Sequence, residues 1–198
     1  RWFLTLTAVF SGIAAFMVFD MVYNGNSPDQ AILSQVEITA HRGSSKHAPE
    51  NTMAALEKAV EEMADRAEID VQETADGVIV LCHDTSLKRV AGVNKKVSDL
   101  TLEQIKKLDV GSWFSSEYQG EQIPTLEEVM EYAKGKIDLN IEIKNLGNSS
   151  GLPEKVIELV EKYEMQEQCV ITSTNRFYLK RVKAVNQEIR TGYIISAA

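Results

Sequence analysis

The chain has 198 residues, 44% hydrophobic and 25% charged, a composition that is typical of a folded protein and excludes an intrinsically disordered one. The formal net charge of −8 argues against a nucleic-acid partner, because phosphate backbones are held mainly by clustered Lys and Arg. It still permits a small phosphorylated substrate, since a bound divalent cation can invert the local field.

The amino-terminal segment, residues 1–23, is predicted to be a transmembrane helix. Residues 2–19 carry no charge, and a helix of that length reaches about 27 Å, close to the thickness of the hydrocarbon core. Trp2 and Tyr23 stand near its ends, where the interface favours aromatic residues. A cleaved secretory signal and a buried core helix are the alternatives, but the run lacks an A-x-A cleavage site and a polar stripe.

The flanking residues indicate orientation and a boundary. Arg1 precedes the apolar run and Asp20 follows it, so the positive-inside tendency predicts that the rest of the chain lies outside the cytoplasm. Residues 24–35 read as a linker into a domain over residues 36–198. Because the chain starts with Arg1 and stops directly after an apolar run, we expect it to be a piece of a longer protein.

Within residues 36–198, short β-branched runs alternate with stretches of helical period. Strands are predicted at 36–41, 67–72, 78–83, 136–144, 168–174 and 190–196, and helices at 48–64, 100–108, 125–133, 152–165 and 176–185. This alternation predicts a parallel sheet with right-handed crossovers, either a β/α barrel or an open doubly wound sheet. The polar stretch at about 85–124 is too long for a simple connection and is interpreted as a small insertion.

Two predicted strands carry polar residues where a parallel sheet is normally apolar. Every second residue is polar in AEIDVQ, and DLNIEIK repeats the pattern. A carboxylate facing the sheet interior is costly unless compensated, and a bound cation is the simplest compensation. Glu68, Asp70 and Glu142 offer only oxygen ligands, a set suited to Mg²⁺ or Ca²⁺. Half-solvated strands, or a structural pairing of Lys144 with a carboxylate, are the alternatives.

Two of the three histidines, His41 and His83, end predicted strands. In a β/α barrel the carboxyl ends of the strands carry the chemistry. Two imidazoles beside a cation can act as general acid and base near neutral pH, and Arg42 can hold phosphate oxygens through its planar fork of donors. His47 lies in a polar loop and is interpreted as a solvated surface residue.

These segments also resemble the glycerophosphodiester phosphodiesterase family, over roughly Val36 to Ser196. The stretches that carry the likeness are ITAHRGSSKHAPENTMAAL, AEIDVQETADGVIVLCHD, IPTLEEVM and LNIEIK. The resemblance implies a TIM-type (β/α)8 barrel that hydrolyses a glycerophosphodiester to glycerol 3-phosphate and an alcohol. It also implies that strands seven and eight lie beyond Ala198, so that the barrel is truncated after about six strands.

The resemblance further implies roles for individual residues. They are the acid–base histidines His41 and His83, the metal ligands Glu68, Asp70 and Glu142, the phosphate-contacting Arg42 and Lys144, and Glu50 near the metal site. The insertion after His83 would cap the site and help to select the substrate. The apolar run before the barrel is similar to that of bacterial members with an amino-terminal membrane domain. Where the family often reads S-F-N, this chain has Ser173, Thr174 and Asn175, so an aromatic wall is expected to be missing.

Three functions are therefore compared. The first is hydrolysis of a small-molecule glycerophosphodiester with Ca²⁺ or Mg²⁺ as cofactor, on the membrane. The second is a lysophospholipase D-like or teichoic-acid-directed phosphodiesterase on the same scaffold. The third is a non-catalytic, membrane-associated binding module, against which the intact histidines and carboxylates argue.

Overall fold

The computed structural model describes residues 36–144 and 151–195. The chain divides into two units, Arg1–Glu37 and Ile38–Ala198, and nearly all of the first lies outside the described residues. The transmembrane segment at 1–23 and the linker at 24–35 therefore stay predictions. Within the described ranges, no helix is long and apolar enough to cross a membrane.

Six strands form one sheet in the described part of the chain. They are β1 (Thr39–Ala40), β2 (Arg66–Glu73), β3 (Ile79–Leu81), β4 (Asp138–Ile143), β5 (Cys169–Ser173) and β6 (Arg190–Tyr193). The strands β1, β2, β4, β5 and β6 are neighbours in that order, and each pair is parallel. Sequential order without a reversal is the winding of a β/α barrel, whereas a doubly wound sheet reverses at a switch point.

The third strand corrects the expectation of an all-parallel sheet. β3 pairs antiparallel with β2, with Val71 opposite Leu81 and Glu73 opposite Ile79. The connection contains the turn at Asp76 and Gly77 and is far shorter than the dozen or more residues that a parallel crossover requires. The strand predicted at residues 78–83 therefore forms a hairpin with β2, and five of the described strands are parallel.

Helices connect the parallel strands. They are α1 (Met53–Glu61), α2 (Lys88–Ala91), α3 (Leu102–Ile105), α4 (Leu126–Ala133), α5 (Leu152–Lys162) and α6 (Arg176–Val185). The helix predicted at 48–64 is shorter than expected at both ends. Asn51 has a left-handed φ of 56°, and the Thr52 side chain caps the amino terminus of α1 by accepting from the Ala55 amide. Met63 also has a φ of 56° and lies 83% exposed, not on the buried face.

The buried apolar residues form two clusters, one between the sheet and the helices and one under the insertion. The main core contains the alternate residues of β2 and β4 that face the helices, each at most 1% exposed: Ala67, Ile69, Val71, Leu139, Ile141 and Ile143. A second cluster lies under the insertion and comprises Val80, Cys82, Leu87, Val97, Leu100, Ile105, Val110 and Ile123. Val80 of β3 and Cys82 directly after it thus pack against the insertion, which contains α2, α3 and two short 3₁₀ helices, Val97–Asp99 and Ser116–Tyr118.

Candidate active site

Three carboxylates from neighbouring strands converge on one side of the sheet. The parallel register places Asp70 of β2 opposite Glu142 of β4, and Glu68 shares the face of Asp70 because strand side chains alternate. Each of the three residues offers an oxygen atom, and these oxygens all lie within 4.8 Å of one another. The convergence predicted from the alternating polar residues is therefore present.

The cluster has the properties of a site for a hard cation. Burial, reinforced by the negative charge of Asp70, raises the pKa of Glu68 to about 7. Asp70 is 1% exposed, and its Oδ1 atom accepts no hydrogen bond from the described residues. Buried carboxylates that repel one another fit a divalent cation, and an all-oxygen donor set fits Mg²⁺ or Ca²⁺.

Two basic side chains border the carboxylates. Lys144 Nζ lies 3.0 Å from Glu142 Oε1 and 3.3 Å from Asp70 Oδ1, so the pairing that was one alternative for Lys144 is also present. Although burial favours the neutral amine, the charges of Asp70 and Glu142 raise the pKa of Lys144. Arg42 Nε lies 3.6 Å from Asp70 Oδ2. The site therefore offers two positive charges to an anionic ligand.

The His-Arg-Gly motif is a tight backbone turn over β2. The Arg42 amide donates to Glu68 Oε2 at 2.8 Å, and the Gly43 amide donates to the Glu68 carbonyl at 3.0 Å. Gly43 has a φ of 73°, and a Cβ there would lie 2.7 Å from the Ala55 carbonyl carbon of α1. Only glycine fits this position, and its neighbour Arg42 is thereby aimed at the carboxylates.

His41 directly follows β1 and is largely exposed. Its Nε2 atom lies 3.9 Å from Glu68 Oε2, and its side chain is 69% exposed. His47, by contrast, pairs with Glu62 at 2.6 Å and lies on the surface with 49% of its side chain exposed, as the polar loop around it predicted. The histidine at the strand end, and not the one in the loop, therefore borders the carboxylates.

His83 reaches the site by a route that the sequence did not predict. It follows β3, which runs antiparallel to the barrel strands, so it does not lie at the carboxyl end of a parallel strand. The hairpin instead runs back along β2, where the Cys82 amide donates to the Asp70 carbonyl at 2.9 Å. Gln72 Nε2 donates at 2.8 Å to the carbonyls of Cys82 and Asp84. These contacts hold both neighbours of His83 beside the carboxylate strand.

Glu50 contacts two arginines and is not one of the three clustered carboxylates. Its Oε1 atom accepts from Arg42 at 2.9 Å, and both of its oxygens accept from Arg89 of α2, at 2.7 and 2.8 Å. Although burial works in the opposite direction, hydrogen bonds from Arg89 and the charge of Arg42 lower the pKa of Glu50. Glu50 therefore stays charged and links Arg42 to the insertion.

Comparison with known proteins decides the family. The sequence pattern of the "Glycerophosphoryl diester phosphodiesterase family" matches residues 41–198. The chain belongs to this family. A "Glycerophosphodiester phosphodiesterase" of Caldanaerobacter subterraneus is similar to it, with 43% identity over 79% of this chain and 65% of that protein. Another, from Bacillus subtilis, is 32% identical over 98% of this chain and 71% of that protein.

The fold is similar to that of solved phosphodiesterases. A phosphodiesterase from Oleispira antarctica, in complex with the product sn-glycerol-3-phosphate, superposes with a TM-score of 0.75 and 38% identity. The superposition covers 82% of this chain and 67% of that one. The chain thus spans about two thirds of the length of several relatives that it matches. The family predicted from the motifs is confirmed, and its membrane-anchored type stays a prediction.

Sequence reasoning missed three members of the candidate site. Asn51 Nδ2 donates to Asp70 Oδ2 at 2.8 Å, and Asn51 Oδ1 accepts from the Asp70 amide at 3.0 Å, so one amide fixes both the backbone and the side chain of a carboxylate. Asp84 and Arg89 extend the site into the insertion. An Asn in the PENT motif is a signal for Asn51, whereas an arginine in a polar stretch resembles ordinary surface charge.

Proposed function

We propose that the protein hydrolyses glycerophosphodiesters to glycerol 3-phosphate and an alcohol with the help of Mg²⁺ or Ca²⁺. The observation that carries the proposal is the convergence of Glu68, Asp70 and Glu142 within 4.8 Å, beside Arg42 and Lys144. Membership of the family supports the reaction type. The similar phosphodiesterase in complex with sn-glycerol-3-phosphate supports the substrate class.

Charge complementarity gives each group near the carboxylates a function. A cation bound by Glu68, Asp70 and Glu142 supplies stabilisation of negative charge on phosphate oxygens. Arg42 and Lys144 bind the phosphate, and the planar guanidinium of Arg42 suits two oxygens at once. The buried carboxylates would repel a phosphate if these positive charges were absent.

The two histidines transfer protons. One deprotonates the nucleophile, either water or the glycerol 2-hydroxyl, and the other protonates the leaving alkoxide. If the 2-hydroxyl attacks, the cyclic phosphodiester that it forms is opened by water in a second step, which gives glycerol 3-phosphate. Asp84 Oδ1 lies 2.8 Å from His83 Nδ1, which orients the ring and leaves Nε2 for proton transfer. His41 is held only by its position after β1 and by its approach to Glu68. The proposal gives the same type of role to both residues and leaves open which one is the acid and which the base.

The larger architecture belongs to the proposal as well. We propose that the five parallel strands are part of a (β/α)8 barrel, because they follow one another without reversal and superpose on a longer phosphodiesterase. We also propose that residues 1–23 anchor the protein in a membrane with the catalytic domain outside the cytoplasm. The uncharged run at residues 2–19 supports this, and protease accessibility in intact cells and in inverted vesicles tests it.

The proposed reaction is tested with the purified full-length protein. Release of glycerol 3-phosphate from glycerophosphocholine is measured after treatment with chelator and after addition of Mg²⁺ or Ca²⁺. We expect the chelator to abolish the reaction and a cation to restore it. A lysophospholipid and a teichoic-acid oligomer are included as alternative substrates. Turnover that survives the chelator would contradict the role of the cation, and release from an alternative substrate alone would contradict the substrate class.

A further inference from the structure

We propose that Arg89 is a positioning residue that holds the insertion over the site and fixes His83 and Arg42 together. The inference rests on the proposed function, because it assigns Arg89 an effect on the same hydrolysis. Arg89 contacts neither the three carboxylates nor the histidines directly among the described contacts. Its influence passes through Glu50 and Asp84.

The contacts of Arg89 require a guanidinium. Its Nη1 and Nη2 atoms donate to the two oxygens of Glu50 at 2.8 and 2.7 Å, and its Nε atom donates to Asp84 Oδ2 at 2.7 Å. This is a fork on one carboxylate with a third bond to another. A lysine ammonium is a point charge and cannot reproduce that geometry. The Glu50 side chain is 11% exposed and the Arg89 side chain 41% exposed, so the carboxylate is buried while the guanidinium keeps contact with solvent.

Asp84 and Glu50 each bind a residue of the candidate site in addition to Arg89. Asp84 binds Arg89 through Oδ2 and His83 through Oδ1, and these two hydrogen bonds lower the pKa of Asp84 to about 2. Glu50 binds Arg89 and also accepts from Arg42. Arg42 follows β1 and His83 follows β3, so Arg89 connects two segments that are distant in sequence. Without Arg89, Asp84 and Glu50 would each be free to adopt other rotamers.

The same contacts add to the packing of the insertion. α2 has four residues, of which Val90 and Ala91 pack partly buried against the second apolar cluster, and a helix this short has little stability of its own. The guanidinium of Arg89 lies 5.5 Å from the centroid of the Trp113 ring, a distance typical of a cation–π contact. Arg89 therefore joins two distant parts of the insertion to Glu50, which precedes α1. Order in the insertion and order in the site are coupled through one side chain.

The test compares Arg89→Gln and Arg89→Lys with Lys88→Gln in the full-length protein. Lys88 is an exposed residue of the same helix, so its change removes an equal charge without the fork. We expect Arg89→Gln to lower kcat for glycerophosphocholine by about 10- to 100-fold, as loss of supporting contacts around a site commonly does. KM and Mg²⁺ affinity by calorimetry should change less. Arg89→Lys should recover only part of kcat, and Lys88→Gln should match the wild type.

A second measurement does not depend on turnover. Hydrogen–deuterium exchange without substrate should become faster at residues 84–92 in Arg89→Gln while β2 and β4 keep their protection. Added guanidinium ion should restore part of kcat in this variant, an effect that a general loss of folded protein would not show.

The outcomes separate the two proposals. A kcat of Arg89→Gln within about twofold of wild type, or an equal loss in Lys88→Gln, overturns the role of Arg89. If the wild type fails to hydrolyse the diester, the proposed function fails, and exchange decides the inference: faster exchange at 84–92 supports it and wild-type exchange overturns it. If Arg89→Gln does not fold, a wild-type kcat in a folded Arg89→Lys overturns it.

Discussion

The two faces of β2 and β4 are built from the same strands but have different functions. In β2 both faces are buried, whereas in β4 the polar residues are only partly buried. Ile69 on one face and Asp70 on the other are each 1% exposed. The apolar face packs on the helices and needs no specific partner. The polar face needs partners for every buried charge, and it receives them from Asn51, Arg42 and Lys144.

Burial by itself therefore does not separate a core from a site. What separates them is the remaining demand for a partner. On the polar face, Asp70 Oδ1 has an ion pair with Lys144 at 3.3 Å but no hydrogen bond from the described residues, and burial raises the pKa of Glu68 to about 7. The apolar face should respond to substitution with a change in stability. The polar face should respond with a change in chemistry, because its carboxylates and basic side chains are the groups that would bind the cation and the phosphate.

The largest effect is expected for the histidines that border the polar face. His41→Ala and His83→Ala should each lower kcat by about 10²- to 10⁴-fold, the usual contribution of a general acid or base, while the melting temperature changes little. His47→Ala is the control, because His47 pairs with Glu62 on the surface. Near-wild-type turnover in either site variant would refute the assignment.

A large effect on stability is expected from the opposite face. Ile141 is completely buried in β4, so Ile141→Ala should lower the free energy of unfolding by about 2–5 kcal/mol, measured by denaturant titration. Mg²⁺ affinity of the folded protein should stay the same. Val185→Ala in α6, where the valine is 52% exposed, provides the control. A loss of cation binding without a loss of stability in Ile141→Ala would contradict the assignment of stability to the apolar face and of cation binding to the polar face.

The protonation of Glu68 gives the polar face a pH-dependent effect on stability that the apolar face cannot have. Because its pKa is about 7 in the folded protein and 4.5 ordinarily, the folded state binds a proton that the unfolded state does not between these values. In cation-free buffer this contribution stabilises the protein at low pH and is lost as the pH rises from about 4.5 to 7, by about 3 kcal/mol.

Thermal unfolding of wild type and Glu68→Gln across this pH range measures the effect. The variant should lack this part of the pH dependence, and Glu103→Gln, with a side chain that is 81% exposed, should retain it. Saturating Mg²⁺ or Ca²⁺ should stabilise the wild type most at the upper end of the range. Identical pH profiles for wild type and Glu68→Gln would show that the pKa of Glu68 is not raised in the folded protein.

The smallest effect is expected at the cap of α4, which lies outside both faces. Thr125 Oγ1 accepts from the Glu128 amide at 3.1 Å, and Glu128 Oε2 accepts from the Thr125 amide at 2.7 Å. Thr125→Ala should lower the free energy of unfolding by about 1 kcal/mol, without changing kcat. Thr85→Ala, at an exposed position outside the helices, should change stability less. An equal change in both would indicate that the cap adds nothing.

The predictable parts of the site follow from local rules. Alternation in a strand has a period of two, so Glu68 and Asp70 had to share a face, and the pattern in β4 placed Glu142 on the corresponding face. The capping box of α4 was equally readable, because Thr125 and Glu128 satisfy each other within one helical turn. The antiparallel direction of β3 was readable in principle from the short turn at Asp76 and Gly77, but strand patterns carry no direction.

The parts that were not predicted depend on contacts between distant segments. Asn51 binds Asp70 across 19 positions of sequence, and Arg89 binds Glu50 across 39. Neither spacing corresponds to a helical or strand period, so no local pattern marks these residues. Asn51 lies in the loop before α1 and Arg89 in a short helix of the insertion, and the paths of such segments are determined by packing and hydrogen bonding of the whole domain.

The sequence by itself determined the family, the alternating strands and helices, and the three carboxylates that face one side of the sheet. These features depend on residue type and spacing, which act over a few positions of the chain. Only the tertiary structure decided that β3 turns back and binds Cys82, the neighbour of His83, to the backbone of Asp70, and that Arg89 joins the insertion to Glu50 and Asp84. Such contacts form only after the sheet has assembled, because the register between strands sets which distant side chains come within hydrogen-bonding distance.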